Sequence, residues 1–365
     1  MNCSVAVRLV LGASVALAAC AGSATDVADD EAPDATASTP SSTRVHSGPT
    51  TPVAPPGSAS STTINDQASA LLPADADPPL FDVVVGEAEL FDSVRDRRIP
   101  YRTYAPRGHD AAAPLLLVSH GGRGSDRGHR SGEHIGSALA AAGLVAVHIG
   151  HTLPAEGRSP NVERPADVTV VLDALEDGLL TLPAEFDGTV DIDRVGHVGH
   201  SWGAYTAHAV AGADFGAPFA DPRIDAIAPI SPQGADQFGG FDRGPDDNTW
   251  IAMHLPALNL VGGAEMDSNV TGSIDRDGWR REPFDRYPDT SDTFLVVVDG
   301  QDHGQMWGRG SAEIQSFVAD SIVDFMRVYV AGDVRVDPCD IGNVASLAML
   351  ERRPAAEGSS LGACP

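Results

Sequence analysis

The sequence predicts an α/β fold: a mainly parallel sheet of about eight strands with helices on both faces. Three observations point there. Short apolar runs such as "PLLLVSHGG", "LVAVHIG" and "TFLVVVDG" end in glycine and are too brief for helices, as strands buried on both faces are. Segments of helical period lie between them. Buried runs alternating with helices build a sheet from crossover connections.

Each element follows in chain order. "FDVVVGEAEL" and "RRIPYRTYAP" read as two strands joined by a polar turn. "PLLLVSHGG" is the third strand, "HIGSALAAAG" a helix closed by Gly143, and "LVAVHIG" the fourth strand. Pro165 opens a helix, "PADVTVVLDALEDGLL", with Val168, Val171, Leu172, Leu175 and Leu179 on one face. "RVGHVGH" is a strand, and a small-residue helix begins at Trp202. "RIDAIAPIS", "ALNLVGG" and "TFLVVVDG" are three more strands. Ala312 to Tyr329 is a closing helix with Ile314, Phe317, Val318, Ser321, Ile322 and Phe325 facing inward. The folded domain is thus expected over 80–330, followed by a C-terminal tail over 331–365.

The residues before the domain have another character. Arg8 precedes an apolar run, Leu9 to Ala19, that is too short to span a membrane and reads as the core of a secretory signal. It ends in Leu17-Ala18-Ala19-Cys20, which resembles the lipobox of bacterial lipoproteins. That resemblance implies a lipoprotein signal peptide over 1–20, cleavage before Cys20 and a lipid on its sulfur. An ordinary signal-peptidase site is the alternative. Residues 21–79 are Ala, Ser, Thr, Pro, Asp and Gly with almost no aromatics, a composition that cannot offset its ordering entropy; a disordered tether is expected. The protein is therefore expected to be exported and anchored in the cell envelope, or else periplasmic or secreted.

Charge narrows the partners. The chain carries 51 acidic and 24 basic residues, a formal charge of −27, with no lysine. This argues against nucleic acid and against anionic lipid surfaces, leaving a lipid anchor as the only expected membrane contact. Cys339 and Cys364 lie in the tail, and in an oxidising compartment they are the one intramolecular pair left once Cys3 is removed and Cys20 lipidated.

The chemistry gathers around Gly199-His200-Ser201-Trp202-Gly203. A G-x-S-x-G match alone is weak in so glycine-rich a chain. Here a strand precedes it and a helix follows, the context in which a sharp turn lifts the serine oxygen out of the sheet. A serine hydroxyl needs a base, and His303, in the loop after the last strand, sits at the sheet edge where ligands bind. His129, His134, His148 and His151 are other histidines able to line the cleft. An acid should orient His303; Asp267, past "ALNLV", is the first candidate and Glu265 its close competitor. Trp202 and Gly122 are the candidate backbone donors for an oxyanion, and Met306 and Trp307 candidates for the substrate pocket.

These residues resemble the α/β-hydrolase superfamily, in particular its bacterial dienelactone-hydrolase-like or platelet-activating-factor-acetylhydrolase-like branch. The matching stretches are "DSVRDRRIPYRTYAP", "LLLVSHGG", "ERPADVTVVLDAL", "DIDRVGHVGHSWGAYTA", "DPRIDAIAPISPQG" and "FLVVVDGQDHGQMWG". The resemblance implies the α/β-hydrolase fold and a triad of Ser201, Asp267 and His303. "GAEMDS" also looks like the acid-bearing turn of bacterial cutinases, which favours Asp267. Two departures matter. Dienelactone hydrolases carry cysteine where this chain has Ser201, and eukaryotic acetylhydrolases carry their acid after the strand where this chain has Ser231. The implied activity is hydrolysis of a small-molecule carboxylic ester through an acyl-enzyme. No cofactor or metal is implied. A peptidase, amidase or thioesterase could use the same triad, and a non-catalytic surface binding protein could use the same fold.

Overall fold

The computed structural model describes residues 80–216, 218–235, 249–267, 277–344, 346–361 and 364. The expected signal, Cys20 and the tether lie outside the described residues. No described helix is long and apolar enough to cross a membrane.

Among the described residues nine strands form one sheet in the order β1-β2-β4-β3-β5-β6-β7-β8-β9. They are β1 Val83–Asp92, β2 Arg97–Pro106, β3 Ala112–Ser119, β4 Val145–Ile149, β5 Thr189–His200, β6 Ile224–Ile230, β7 Ala257–Gly262, β8 Thr293–Val298 and β9 Ala348–Arg353. The six strands from β3 to β8 are parallel, and β1, β2 and β9 join the two edges antiparallel. The helices are α1 Glu133–Ala141, α2 Pro160–Glu176, α3 Trp202–Val210, α4 Glu282–Arg286 and α5 Ala312–Tyr329. Alternation along β3 divides the core. Leu116 and Val118 pack with Ile135 of α1 and Phe317 of α5, whereas Leu115 and Leu117 pack with Val168 of α2 and Ala207 of α3. Helices thus cover both faces.

Three details depart from the sequence reading. The second helix starts at Pro160, not Pro165: Ser159 caps it by accepting from the Asn161 amide, and Pro160 occupies the first turn, where its missing N–H costs nothing. Pro165 then lies inside the helix and leaves the Asn161 carbonyl without its usual donor. The Tyr205 hydroxyl of α3 donates to that carbonyl at 3.0 Å. The same helix ends at Glu176, so Leu179 is exposed and Leu180 is buried in its place. Finally, residues 331–365 are no appendage. "AMLERR" pairs with β8 from Ala348 opposite Val298 to Arg353 opposite Thr293. Its Met, Leu, Glu and Arg are weak strand formers, and the open edge of β8 recruits them. Cys339 and Cys364 are disulfide-bonded, with Cα atoms 5.3 Å apart.

The strand order reverses around β3, with β4 on one side and β5 on the other. In parallel register Ser119 stands opposite Gly199. The loops leaving β3 and β5 therefore emerge together, at the crevice where open α/β sheets bind ligands.

Candidate active site

Ser201 joins β5 to α3 with φ +54° and ψ −113°, a backbone shape that a non-glycine residue adopts only when its surroundings impose it. The surroundings are tight. A Cβ on Gly199 would stand 2.0 Å from the Gly203 carbonyl oxygen, and one on Gly203 would stand 1.9 Å from the Ser119 carbonyl oxygen. Both glycines of the pentapeptide are therefore required by close backbone approach. The Ser201 amide donates to the Ile230 carbonyl at 2.9 Å, pinning the turn to β6. Among the described residues the Ser201 hydroxyl makes no hydrogen bond.

The loop after β3 lies against this turn. A Cβ on Gly121 would be 3.4 Å from Ser201 Cβ and 2.8 Å from His200 Nδ1. Gly122 follows with φ +76°. Among the described residues neither the Gly121 nor the Gly122 amide donates a hydrogen bond. Arg164, fully buried on α2, holds this loop from behind. Its guanidinium donates to the His120 carbonyl, to the Gly122 carbonyl at 3.0 Å and to Thr206 Oγ1 at 3.1 Å. Thr206 in turn donates to the Trp202 carbonyl at 2.9 Å. One side chain thus ties the β3 loop to the first turn of α3. Burial lowers the Arg164 pKa to about 9, which leaves it charged at neutral pH.

His303 stands beside Ser201's neighbour. The His200 ring packs on His303 with centroids 4.6 Å apart, and His200 Nε2 donates to the His303 carbonyl at 3.0 Å. Trp307 stacks on the other side of His200, 5.1 Å away and within 9° of parallel. Burial, then the nearby His303, push the His200 pKa well below its ordinary value, so His200 is a neutral spacer.

The acid facing His303 is Glu265, not Asp267. His303 Nδ1 donates to Glu265 Oε2 at 2.7 Å. The short 3-10 turn Gly263–Glu265 after β7 aims Glu265 inward, while Asp267, two residues on, is exposed and accepts from the Gly278 amide. Three other groups bind the Glu265 carboxylate. Ser231 Oγ and the Gly262 amide, at 3.1 Å, donate to Oε1, and Arg280 Nε lies 3.0 Å from Oε2. Burial pushes the Glu265 pKa up, but the His303 hydrogen bond, Arg280 and the Ser231 hydroxyl outweigh it and hold it at about 2. The carboxylate is charged across the physiological range. Ser231 itself has φ +50°. Ser231, at the end of β6, thus donates a hydrogen bond to the carboxylate carried by the turn after β7.

The other sequence candidates are placed as follows. Met306 is 1 % exposed and belongs to the core above β7, so it does not line a pocket; the turn Gln305–Arg309 turns it inward. Trp307 is half-buried against His200 and Gly132. The Trp202 ring packs along α3 on Tyr205, and its amide opens that helix. His129, His148 on β4 and His151 are buried rather than lining a cleft, and His134 is half-buried on α1. His151 belongs to a second hydrogen-bond chain. Ser119 Oγ meets His151 Nε2 at 2.8 Å, and His151 Nδ1 meets Asp167 Oδ2 at 2.9 Å. All three side chains are wholly buried, so this chain braces the end of β3 and cannot meet a substrate. Arg97 clamps Asp167 with two bonds of 2.7 and 2.8 Å. The one sequence signal for these braces is the "RPAD" phrase, which supplies both Arg164 and Asp167. Arg280 had none. Among the described residues no group of acidic, histidine or cysteine side chains could hold a metal ion. Compared with known proteins, the chain matches no family model and no curated protein.

Proposed function

We propose that the chain is an exported serine hydrolase of carboxylic esters with the α/β-hydrolase fold. The observation that carries this reading is that a serine is forced to positive φ at the end of a parallel strand, while the His200 beside it packs on His303, whose Nδ1 donates to the buried Glu265 carboxylate. His303 Nε2 takes the Ser201 proton as Oγ attacks the acyl carbon. Glu265 accepts from Nδ1, fixes the tautomer and stabilises the imidazolium. The Gly122 and Trp202 amides donate to the oxyanion, helped by the positive end of α3. The alcohol leaves with the proton from His303, and an acyl-serine remains. Water then gives its proton to the same nitrogen and attacks the acyl carbon; the acid is released as His303 returns that proton to Ser201 Oγ, which restores both groups. No step needs a metal or cofactor. The N-terminal sequence and the Cys339–Cys364 disulfide support export, since such bonds persist in oxidising compartments; Cys20 would carry the anchor.

A panel of p-nitrophenyl esters of rising chain length, with an anilide and a thioester beside it, tests the activity. Ester turnover should exceed both controls, and Ser201→Ala should lower it by several orders of magnitude and abolish fluorophosphonate labelling. Labelling that survives the substitution would sink the assignment. Faster cleavage of the anilide would transfer the reading to an amidase.

A further inference from the structure

We propose that Arg280 is a positioning residue of this site: it shares Glu265 Oε2 with His303 and so lowers the pH at which His303 is free to act as a base. The inference rests on the reading of His303 as that base. Arg280 comes from the turn Trp279–Arg281, far from any motif, and is 1 % exposed. Its Nε stands 3.0 Å from Glu265 Oε2 and also donates to the Glu265 backbone carbonyl at 3.2 Å. Its Nη1 donates to the Ser231 and Pro232 carbonyls at 2.7 and 3.0 Å. The guanidinium therefore clamps the acid and the end of β6 together, and leaves one edge of the carboxylate for the imidazole.

The electrostatic consequence follows from that geometry. A buried carboxylate alone against an imidazole stabilises the protonated ring and makes it a base that is already occupied near neutral pH. A cation on the same oxygen offsets part of that pull, and burial keeps the effect unscreened. Among the described residues, the remaining groups facing His303 do not duplicate it. From β5 comes His200, which is neutral; from the turn after β7 comes Glu265 itself; and Trp307 is uncharged. On the loop of His303, Asp302 and Arg309 lie 3.7 Å from each other, 57 % and 73 % exposed, and are screened by water.

The experiment follows His303 in isotopically labelled protein by NMR titration, assigned with His303→Gln, beside the pH profile of kcat/KM. Arg280→Gln should raise the His303 midpoint, and with it the acid limb of the profile, by about one pH unit, a tenfold loss of rate on that limb. Arg280→Lys keeps the charge but cannot span the carboxylate and both carbonyls, so the midpoint should stay while the plateau falls. A lower plateau with an unmoved midpoint in Arg280→Gln would reduce Arg280 to a structural brace and overturn the proposal. Should that variant not fold, Glu265→Gln and the double variant Glu265→Gln/Arg280→Gln replace it. There the guanidinium acts without its counter-charge, so its removal must raise the midpoint, and equal midpoints overturn the proposal equally. The titration does not depend on turnover. A moved midpoint in a protein that cleaves no ester would sink the hydrolase reading and leave the coupling standing.

Discussion

Two carboxylates two residues apart have opposite fates, and the difference lies in what each touches. Glu265 is 5 % exposed and bound by four donors, whereas Asp267 is exposed and, among the described residues, accepts from a backbone amide. Glu265→Gln should therefore cost about three to four orders of magnitude in kcat/KM, because an amide cannot hold His303 in the tautomer that presents Nε2 as acceptor. Asp267→Asn should stay within about tenfold of wild type. Steady-state kinetics on one ester decides it, and the reverse ranking would return the acid role to Asp267. Both residues were visible in "GAEMD", yet their order was not. An extended loop points neighbours at i and i+2 to the same side, while the 3-10 turn at Gly263–Glu265 separates them, and a turn of three residues has no periodicity to read.

At the scale of elements, α2 does more than cover the sheet. Arg164 carries the β3 loop on two carbonyls and reaches Thr206 of α3, so the distance between the two proposed oxyanion donors depends on a helix that contributes neither. Arg164→Lys should lower kcat by about ten- to a hundredfold with little change in KM, since a point charge cannot replace the planar fork. An equal rise in KM with kcat intact would show that the loop binds substrate instead. Tyr205→Phe probes the other tie between these helices, the hydroxyl on the carbonyl that Pro165 leaves unpaired. It should cost about 1 kcal/mol of stability in urea titration while activity stays near wild type. The elements themselves were largely legible. The eight strands from "FDVVV" to "TFLVVV" and the helix Ala312–Tyr329 follow from apolar runs and period alone. Hidden from that reading were features that exist only through tertiary contact: a proline inside a helix rescued by a neighbour's hydroxyl, β9 drawn in by an edge, and buried arginines whose partners are distant in sequence.

The molecule as a whole is built to resist protonation poorly. His120, His148, His197, His200 and His208 are buried without a hydrogen bond to any carboxylate, and burial is the leading cause lowering the pKa of each. Their folded values lie below the unfolded one of about 6.5, so the unfolded chain binds protons that the native state refuses. The stability they allow is complete above about pH 6.5 and falls as pH drops below it. Each such group costs about 1.4 kcal/mol per pH unit in that range, so even half of the effect amounts to several kcal/mol by pH 5.5. Against a usual total of about 5–15 kcal/mol, that is a large share of the stability of the protein in mild acid. Thermal melts should show Tm nearly level from pH 7 to 8 and falling steeply from 6.5 to 5. A flat Tm across that lower range would show that these rings accept protons in place.

The pairing of β9 with β8 also sets a constraint on how the protein can be made. Until Ala348 to Arg353 leave the ribosome, the wholly buried strand "TFLVVV" has one bare edge and a free row of amides and carbonyls. β9 is thus the guard of that edge, and the Cys339–Cys364 bond ties the segments before and after it together once the chain meets an oxidant. A chain arrested at residue 330 keeps every group of the candidate site and still offers its neighbours a ready template for strand exchange, so early termination should yield aggregates rather than a less stable monomer.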